Sequence, residues 1–136
     1  MTVKNSRIFK NKVINNKKGN LIKFISTKNS FYKKFGEVYF NEINLKKKKG
    51  WIKHLKNNCL IQCVHGKVEF HLIDSKNKEK KYIIKSNTGT ILKIPPNIWF
   101  SFRSLVKKSI IVNMIERYHK ESEVIKSNKV KNYLIV

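Results

Sequence analysis

The stretch CLIQCVHGKVEFHLI, residues 59–73, contains two runs of apolar and β-branched residues on either side of His65-Gly66. In the second run, Val68, Phe70 and Leu72 alternate with polar residues, as they do in a strand with one buried face. A glycine-containing pair between two such runs is typical of a β-hairpin. The stretch therefore predicts two antiparallel strands joined by a tight turn.

Similar runs recur along the whole chain, separated by clusters of Asn, Lys, Gly and Pro. Pro95-Pro96 cannot lie in a central strand and marks a strand end. The polar stretch 118–129 could hold a helical turn, and 132–136 could return as a strand or dock on the core. Many short strands with regular turns predict an all-β sandwich or closed roll. The predicted strands are 7–14, 21–26, 37–43, 51–55, 59–65, 67–73, 81–85, 90–94, 98–103 and 109–115.

The length and composition predict one globular domain. The chain has 136 residues, of which 40% are hydrophobic, so a disordered chain is excluded. No apolar run approaches the roughly 18 residues of a membrane span, and residues 1–12 do not resemble a signal peptide. We interpret Cys59 and Cys63 as small buried hydrophobic residues. In one strand they would lie about 13 Å apart, which is too far for a disulfide. We therefore expect a reduced, cytoplasmic setting.

The net charge of +23 raises the alternative of nucleic-acid binding. However, only Arg7, Arg103 and Arg117 are arginines, which bind phosphates in a bidentate manner, and the lysines are scattered. The chain has no alanine and is rich in Asn, Ile and Lys, a bias typical of A/T-rich codon usage. We interpret the charge as a consequence of that bias, and nucleic acid is not an expected partner.

Several blocks of the sequence resemble one family in order and spacing. They are FGEVYF (35–40), KGWIKHLK (49–56), VHGKV (64–68), IPPNIWFSF (94–102) and the tail 117–125. They are similar to the cupin group that contains the dTDP-4-dehydrorhamnose 3,5-epimerases and the dTDP-4-keto-6-deoxyhexose 3,4-ketoisomerases.

The resemblance implies a single cupin domain over residues 1–136, a jelly roll or double-stranded β-helix with its barrel core at about 35–116. A short irregular or helical segment would follow the core. The family acts without a metal or other cofactor, is usually dimeric, and transforms a dTDP-linked 4-keto sugar by removing a proton next to the keto group. We expect a homodimer with residues 7–26 at its interface. A 3,5-epimerase-like activity for surface polysaccharide is expected in preference to 3,4-ketoisomerisation. The alternative is a non-catalytic cupin that binds a carbohydrate or nucleotide sugar.

A cupin metal centre is not expected. Metal-dependent cupins carry a His-X-His motif, a later Glu and a third His as metal ligands. In this sequence Ile52 and His54 occupy the His-X-His positions and Phe100 occupies the third. One imidazole does not make an ordinary metal site.

His54 and Tyr39 are the expected catalytic residues. Ile52 and His54 share a strand face that the resemblance places inside the barrel. His54 would act as the base or contact the sugar, since Ile52 cannot move a proton. Tyr39 matches a family tyrosine that could act as an acid or hold an enolate. The structural alternatives are a hydrogen-bonded barrel histidine and a packed strand tyrosine.

Five further residues are expected to bind substrate. A cation could contact the diphosphate, an aromatic ring could stack on the base or sugar, and a residue after the barrel could close over the site. Each also has a structural alternative as a surface or core residue. These candidates are Lys53, His71, Trp99, Arg103 and Tyr118.

Overall fold

The computed structural model describes residues 1–135 of the chain, and Val136 lies outside the described residues. Two single-turn 3-10 helices occur at Val3–Asn5 and Glu121–Glu123. The strands in chain order are β1 (Arg7–Lys10), β2 (Glu37–Asn44), β3 (Lys48–His54), β4 (Cys59–His65), β5 (Lys67–Ile73), β6 (Glu79–Lys85), β7 (Thr90–Ile94), β8 (Trp99–Ser104), β9 (Lys108–Ile115), β10 (Val124–Lys126), β11 (Lys129–Val130) and β12 (Tyr133–Leu134).

Ten of these strands form two antiparallel five-stranded sheets that enclose the core. The first sheet has the order β1-β7-β4-β9-β2, and the second has the order β10-β3-β8-β5-β6. The alternate residues of each strand point inward, which is why the buried cluster draws Ile61 from β4, Phe70 from β5 and Phe102 from β8. Strands that alternate between two facing sheets give the predicted all-β cupin jelly roll, and this fold class is confirmed.

The predicted β-hairpin at His65-Gly66 is not formed, because β4 pairs with β7 and β9 in the first sheet whereas β5 pairs with β6 and β8 in the second. His65-Gly66 is instead a tight connection between the two sheets. Gly66 has φ +89°, a conformation that L side chains rarely adopt. A Cβ at this position would also collide with the Ser109 hydroxyl and the Lys108 carbonyl. Glycine is therefore required here both by the backbone and by the close approach of β9.

Two of the predicted strands differ from the structure. The 7–14 strand ends at Lys10, and the 21–26 segment is not a strand, although an isolated bridge joins Ile14 to Leu21. The Asn11 side chain explains part of the difference at 21–26. Its amide donates to the Phe24 carbonyl at 2.8 Å, so a side chain and not a paired strand holds this segment. Local apolar character predicted a strand, but no neighbouring strand is available there to pair with it.

The C-terminal segment returns across the second sheet. After the 3-10 turn, β10 pairs with the end of β3 and places Val124 opposite His54. The β11–β12 hairpin then packs Tyr133 near Trp51, whose indole nitrogen donates to the Tyr133 carbonyl at 3.0 Å. The short segment expected after the barrel thus exists, and it ends in a strand and a hairpin. Among residues 1–135 no helix is long and apolar enough to cross a membrane.

Candidate active site

His54 lies at the end of β3 with its side chain directed into the barrel. A register shift between Lys49 and Ile52 interrupts the pairing of β3 with β8, after which Ile52 lies opposite Phe100. The Asn97 amide, from the Pro95-Pro96 turn, donates to the His54 carbonyl at 2.7 Å and fixes the strand end. The imidazole is 4% exposed and stacks on the Phe100 ring at 6.2 Å between centroids. In the structure, His54 therefore has the predicted inward orientation.

The partner of His54 is Glu123, which sequence reasoning missed. The Nδ1 atom of His54 lies 2.8 Å from Oε2 of Glu123. The other carboxylate oxygen accepts from the backbone amides of Lys56 at 3.0 Å and Asn57 at 2.8 Å. Three hydrogen bonds thus hold this carboxylate at the end of the barrel and orient the imidazole. No local signal marks Glu123, because it is 69 residues from His54 in sequence.

The His54–Glu123 pair is charged at neutral pH. Burial lowers the pKa of His54, but the neighbouring Cys59 and the Glu123 carboxylate outweigh it and raise the pKa to about 9. For Glu123, burial is outweighed by the two backbone amides and by His54, so its pKa lies below the ordinary 4.5. An imidazolium can donate a proton but cannot accept one. At neutral pH this ring is suited to act as an acid or hydrogen-bond donor.

Tyr39 belongs to the same cluster. Its hydroxyl accepts a hydrogen bond from Nδ2 of Asn113 at 2.9 Å, which leaves the phenol proton free to donate elsewhere. Burial and the neighbouring Cys59 raise the pKa of Tyr39 above its ordinary value, so the group stays protonated. The Oδ1 atom of Asn113 is buried without a hydrogen-bond partner. The interior therefore presents a free donor and a free acceptor side by side.

The residues at the cupin metal positions do not form a metal-ligand set. Ile52 and Phe100 pair across β3 and β8 as hydrocarbon neighbours of His54. Within residues 1–135, no group of three or more His, Cys, Asp or Glu side chains has the geometry to hold a metal ion. The chemistry of this set is that of proton donors, not of metal ligands.

The structure separates three of the expected substrate-binding residues from His54. Strand alternation places Lys53, Trp99 and Arg103 on the outer face of the second sheet, because Ile52, Phe100 and Phe102 occupy the inner face. Lys53 Nζ lies 4.8 Å from the centre of the Trp99 ring, and Arg103 Nε lies 3.0 Å from Glu69. These side chains have partners on that face and do not meet the barrel interior.

His71 also faces outward, but the C-terminal hairpin buries it. It is 3% exposed, and its Nε2 lies 2.6 Å from Glu79, which in turn pairs with Lys131 at 2.6 Å. The His71 ring packs edge-on against Tyr133 at 4.6 Å. The structure thus uses His71 to anchor the hairpin and does not bring it to His54.

Tyr118 lines a cavity of about 610 Å³ at the His54 end of the barrel. Glu123 forms part of the same wall, so the cavity adjoins the charged pair. The sequence analysis selected Tyr118 but missed its neighbours, although the tail 117–125 was among the resembling blocks. Two aromatic rings and four cations line this space: Phe35, Tyr118, Lys34, Lys56, Arg117 and Lys120.

A sequence model of the family described as FdtA: WxcM-like, C-terminal matches residues 4–134. The chain belongs to this FdtA family. The match spans both sheets and the C-terminal hairpin, and it confirms the resemblance to the dTDP-sugar epimerase and ketoisomerase cupins. No curated protein sequence matches the chain.

Solved structures resemble this FdtA-family chain over nearly its whole length. A dTDP sugar isomerase from Desulfovibrio desulfuricans G20 has a TM-score of 0.86 at 20% identity, with 92% of this chain and 85% of that chain covered. QdtA, a sugar 3,4-ketoisomerase from Thermoanaerobacterium thermosaccharolyticum in complex with TDP, has a TM-score of 0.81 at 22% identity, with coverage of 92% and 90%. The dTDP-4-dehydrorhamnose 3,5-epimerase of Bacillus anthracis, with TDP and PPi bound, has a TM-score of 0.81 at 12% identity, with coverage of 93% and 82%. At these identities the likeness establishes the fold.

We predict that the buried pair makes stability depend on pH. Because the pKa of His54 is raised, its contribution is fully present below the ordinary 6.5 and is lost as the pH rises towards about 9. Glu123→Gln keeps an acceptor for the two amides but removes the charge. It should lower the free energy of unfolding by about 3 kcal/mol at pH 6.5 and by less at high pH. Urea unfolding of both proteins across this range measures the difference.

Glu42→Gln is the matched control, because Glu42 is an exposed carboxylate that pairs with Lys108 at 3.0 Å on the surface. Its effect should be small at every pH, because water and salt screen exposed ion pairs. An unfolding free energy of Glu123→Gln that runs parallel to wild type across the range would contradict the assignment of the pair.

Proposed function

We propose that this protein is an isomerase that acts on a dTDP-linked 4-keto-6-deoxyhexose, with 3,4-ketoisomerisation preferred over 3,5-epimerisation. The observation that carries the proposal is the charged His54–Glu123 pair facing into the barrel of an FdtA-family chain. The sequence analysis preferred the epimerase. The ketoisomerase QdtA shares 22% identity with this chain and the epimerase of Bacillus anthracis shares 12%, which favours the first activity.

The chemistry of a 4-keto sugar matches the donors of the cluster. A keto group acidifies the neighbouring C–H, and removing that proton places negative charge on the keto oxygen. The His54 imidazolium and the free phenol proton of Tyr39 are both suited to neutralise that oxygen. Donors held in a dry interior favour the developing charge more strongly than donors in water do.

The cavity beside Glu123 supplies the features that a nucleoside diphosphate needs. Lys34, Arg117 and Lys120 offer positive charge to the diphosphate, while the exposed rings of Phe35 and Tyr118 offer flat apolar surfaces to the base. We propose this cavity as the nucleotide position. It replaces the outer-face set of Lys53, Trp99 and Arg103, which lies on the other side of the second sheet. We propose further that the protein acts as a single cupin domain in the cytoplasm. Its product would serve the synthesis of deoxysugars for surface polysaccharide.

The second candidate is a cupin that binds a nucleotide sugar without converting it. Ile52 and Phe100 favour it, because two positions that carry imidazoles in metal-dependent cupins are hydrocarbon in this chain. The two candidates share the pocket and differ in proton transfer. Heavy water separates them, since abstraction of a C–H proton exchanges hydrogen for deuterium even when little product accumulates.

We predict that the wild-type protein incorporates deuterium into dTDP-4-keto-6-deoxyglucose, as read by NMR of the sugar ring in heavy water. Label at C3 and C4 with a new 3-keto product supports ketoisomerisation, whereas label at C3 and C5 supports epimerisation. His54→Gln should lower the rate by about 10²–10⁴-fold. His65→Gln, which changes an exposed imidazole at the turn between β4 and β5, should leave the rate unchanged. Tight dTDP-sugar binding without any exchange would support the non-catalytic candidate instead.

We predict that the cavity lysines strengthen nucleotide binding. Lys34→Gln with Lys120→Gln should weaken dTDP binding by about tenfold or more, because each charged contact to a phosphate is worth about 1.5–3 kcal/mol before screening by salt. Isothermal titration calorimetry measures the change. The control replaces Lys12 and Lys18, two lysines that do not line this cavity. Equal weakening in both double variants would mean that binding follows net charge rather than this cavity.

We further propose that the protein is a homodimer, formed through the outer face of the first sheet. Phe40 is 66% exposed there, next to Val38 at 38% and Val64 at 46%. Leu21 and Ile22 border the same surface and belong to the 7–26 segment that the sequence analysis placed at an interface. Apolar side chains clustered in this way are typical of an interaction surface.

We predict that Phe40→Lys converts the dimer to a monomer, as measured by light scattering after size-exclusion chromatography. A buried charge at the centre of an apolar interface costs several kcal/mol, which is enough to shift the equilibrium. Ile83→Lys changes a residue that is 53% exposed on the second sheet and should leave the mass unchanged. A wild-type protein that elutes as a monomer at every concentration would contradict the proposal.

A further inference from the structure

Two buried polar side-chain atoms have no hydrogen-bond partner within the described residues 1–135, Oδ1 of Asn113 and Oγ of Ser101. Asn113 is 4% exposed and Ser101 is 0% exposed, so both side chains are shielded from bulk water. Buried polar groups are almost always paired, because burial without a partner costs free energy. One of the two atoms lies inside the barrel and the other lies outside it, and this difference separates their roles.

Asn113 points into the barrel from β9. It shares a strand face with Ile111 and Ile115, which both belong to the buried core. Its neighbours across the first sheet are Tyr39 of β2 and Ile61 of β4, and these side chains pack in or against the same core. The unpaired amide oxygen of Asn113 therefore belongs to the barrel interior, where the candidate site lies.

Ser101 lies on the other side of the second sheet. Phe100 and Phe102 of β8 direct their rings into the core, so the Ser101 hydroxyl between them faces outward, beside His71. The backbone of Gly50 covers it closely, since a Cβ on Gly50 would lie 3.1 Å from the Ser101 Cβ. The protein's own backbone thus encloses Ser101 outside the barrel, which makes it a control for Asn113.

Asn113 and Tyr39 together present one donor and one acceptor to the interior. Nδ2 of Asn113 donates to the Tyr39 hydroxyl at 2.9 Å. Because the phenol oxygen accepts this bond, its own proton points away from the amide, and burial raises the pKa of Tyr39 so that the proton is retained. The amide therefore orients the phenol as a donor, while Oδ1 of the same amide is left to accept.

The pair can be reached from the edge of the first sheet. Strand β2 is the last strand of that sheet, so no further strand covers the outer side of Tyr39 within the sheet. Tyr39 is only partly buried although it packs against the core, and so is Ile52 on β3. A ligand that enters beside the Tyr39 ring meets the phenol first and the more deeply buried Asn113 behind it.

A ketone with a hydroxyl group on the adjacent carbon matches this pair. Its keto oxygen accepts a hydrogen bond and its hydroxyl donates one, which is the reverse of what Tyr39 and Asn113 offer. In a 4-keto-6-deoxyhexose the keto group is flanked by C3, which carries a hydroxyl, and by C5, which carries a methyl group. The C3 side satisfies the buried amide oxygen, whereas the C5 side would leave it unpaired.

We propose that Asn113 is a specificity-determining residue, whose Oδ1 atom accepts a hydrogen bond from the C3 hydroxyl of the sugar while Tyr39 donates to the C4 keto oxygen. The inference rests on the proposed function and names the residue that selects C3 over C5. A site built to pair with a substrate hydroxyl discriminates against analogues without it, because its own polar group is then left buried and unpaired.

The test compares dTDP-4-keto-6-deoxyglucose with its 3-deoxy analogue, dTDP-4-keto-3,6-dideoxyglucose. Both sugars have an acidic C–H at C3, so deuterium incorporation in heavy water reports proton exchange in each. For the wild type we expect kcat/KM of exchange to be about tenfold or more lower with the analogue, because it lacks the hydrogen bond to Asn113. In Asn113→Leu, which has a similar volume, both sugars should react equally, even though loss of the bond to Tyr39 slows both.

Ser101→Ala removes the other unpaired atom and should keep the wild-type rates and the preference for the hydroxylated sugar. Thermal melting establishes which variants are folded. A folded Asn113→Leu protein that retains the preference, or a Ser101→Ala protein that loses it, would overturn this inference and leave the proposed function standing. A wild type that exchanges both sugars equally would do the same, whereas a wild type that exchanges neither would overturn both.

A second measurement does not depend on the folding of any variant. In isotope-labelled wild type, NMR identifies the side-chain amide protons of Asn113 by their proximity to the Tyr39 hydroxyl and ring. We expect these resonances to shift on saturation with dTDP-4-keto-6-deoxyglucose and to stay in place with dTDP alone, since the nucleotide is proposed to occupy the cavity beside Glu123. Unmoved resonances with the sugar nucleotide, or equal shifts with dTDP alone, would contradict a contact between Asn113 and the sugar.

Discussion

The buried carboxylate of Glu123 is the contact on which the candidate site depends. It accepts two backbone amides from the turn after β3 and binds the His54 imidazole. These bonds offset the cost of burying a charge, and they attach the C-terminal segment to the end of the barrel. Without this carboxylate the imidazole would lose the hydrogen bond that orients it, and β10 would lose the anchor that holds it beside β3.

The apolar interior explains why a few polar groups are enough to form the candidate site. Hydrocarbon from both sheets fills most of the barrel, and the polar cluster is confined to one end. In such surroundings each hydrogen bond is stronger than in water, while each missing one is more costly. A small set of donors and an amide oxygen without a partner can therefore define a reactive site. The second sheet carries a separate polar network, in which His71 and Glu79 hold the C-terminal hairpin.

Sequence reasoning succeeded where one strand alone determines the outcome. The inward orientation of His54 follows from its alternation with Lys53, and the tight turn after β4 follows from Gly66, although β4 and β5 enter different sheets and do not pair as a hairpin. It failed where two segments must meet. Glu123 carried no local signal as the partner of His54. The same alternation that places His54 inside also places Trp99 and Arg103 outside, a consequence that family analogy obscured.

The amino-acid pattern alone determined the fold class, the approximate strands and the imidazole on the inner face of β3, because strand periodicity and turn chemistry are local properties of the chain. The tertiary structure decided which groups meet that imidazole, and with them its charge state. Partners 69 residues apart are brought together only when β10 folds back on β3. Proton affinity inside a barrel depends on those neighbours and on the exclusion of water, and no single segment of the sequence determines either.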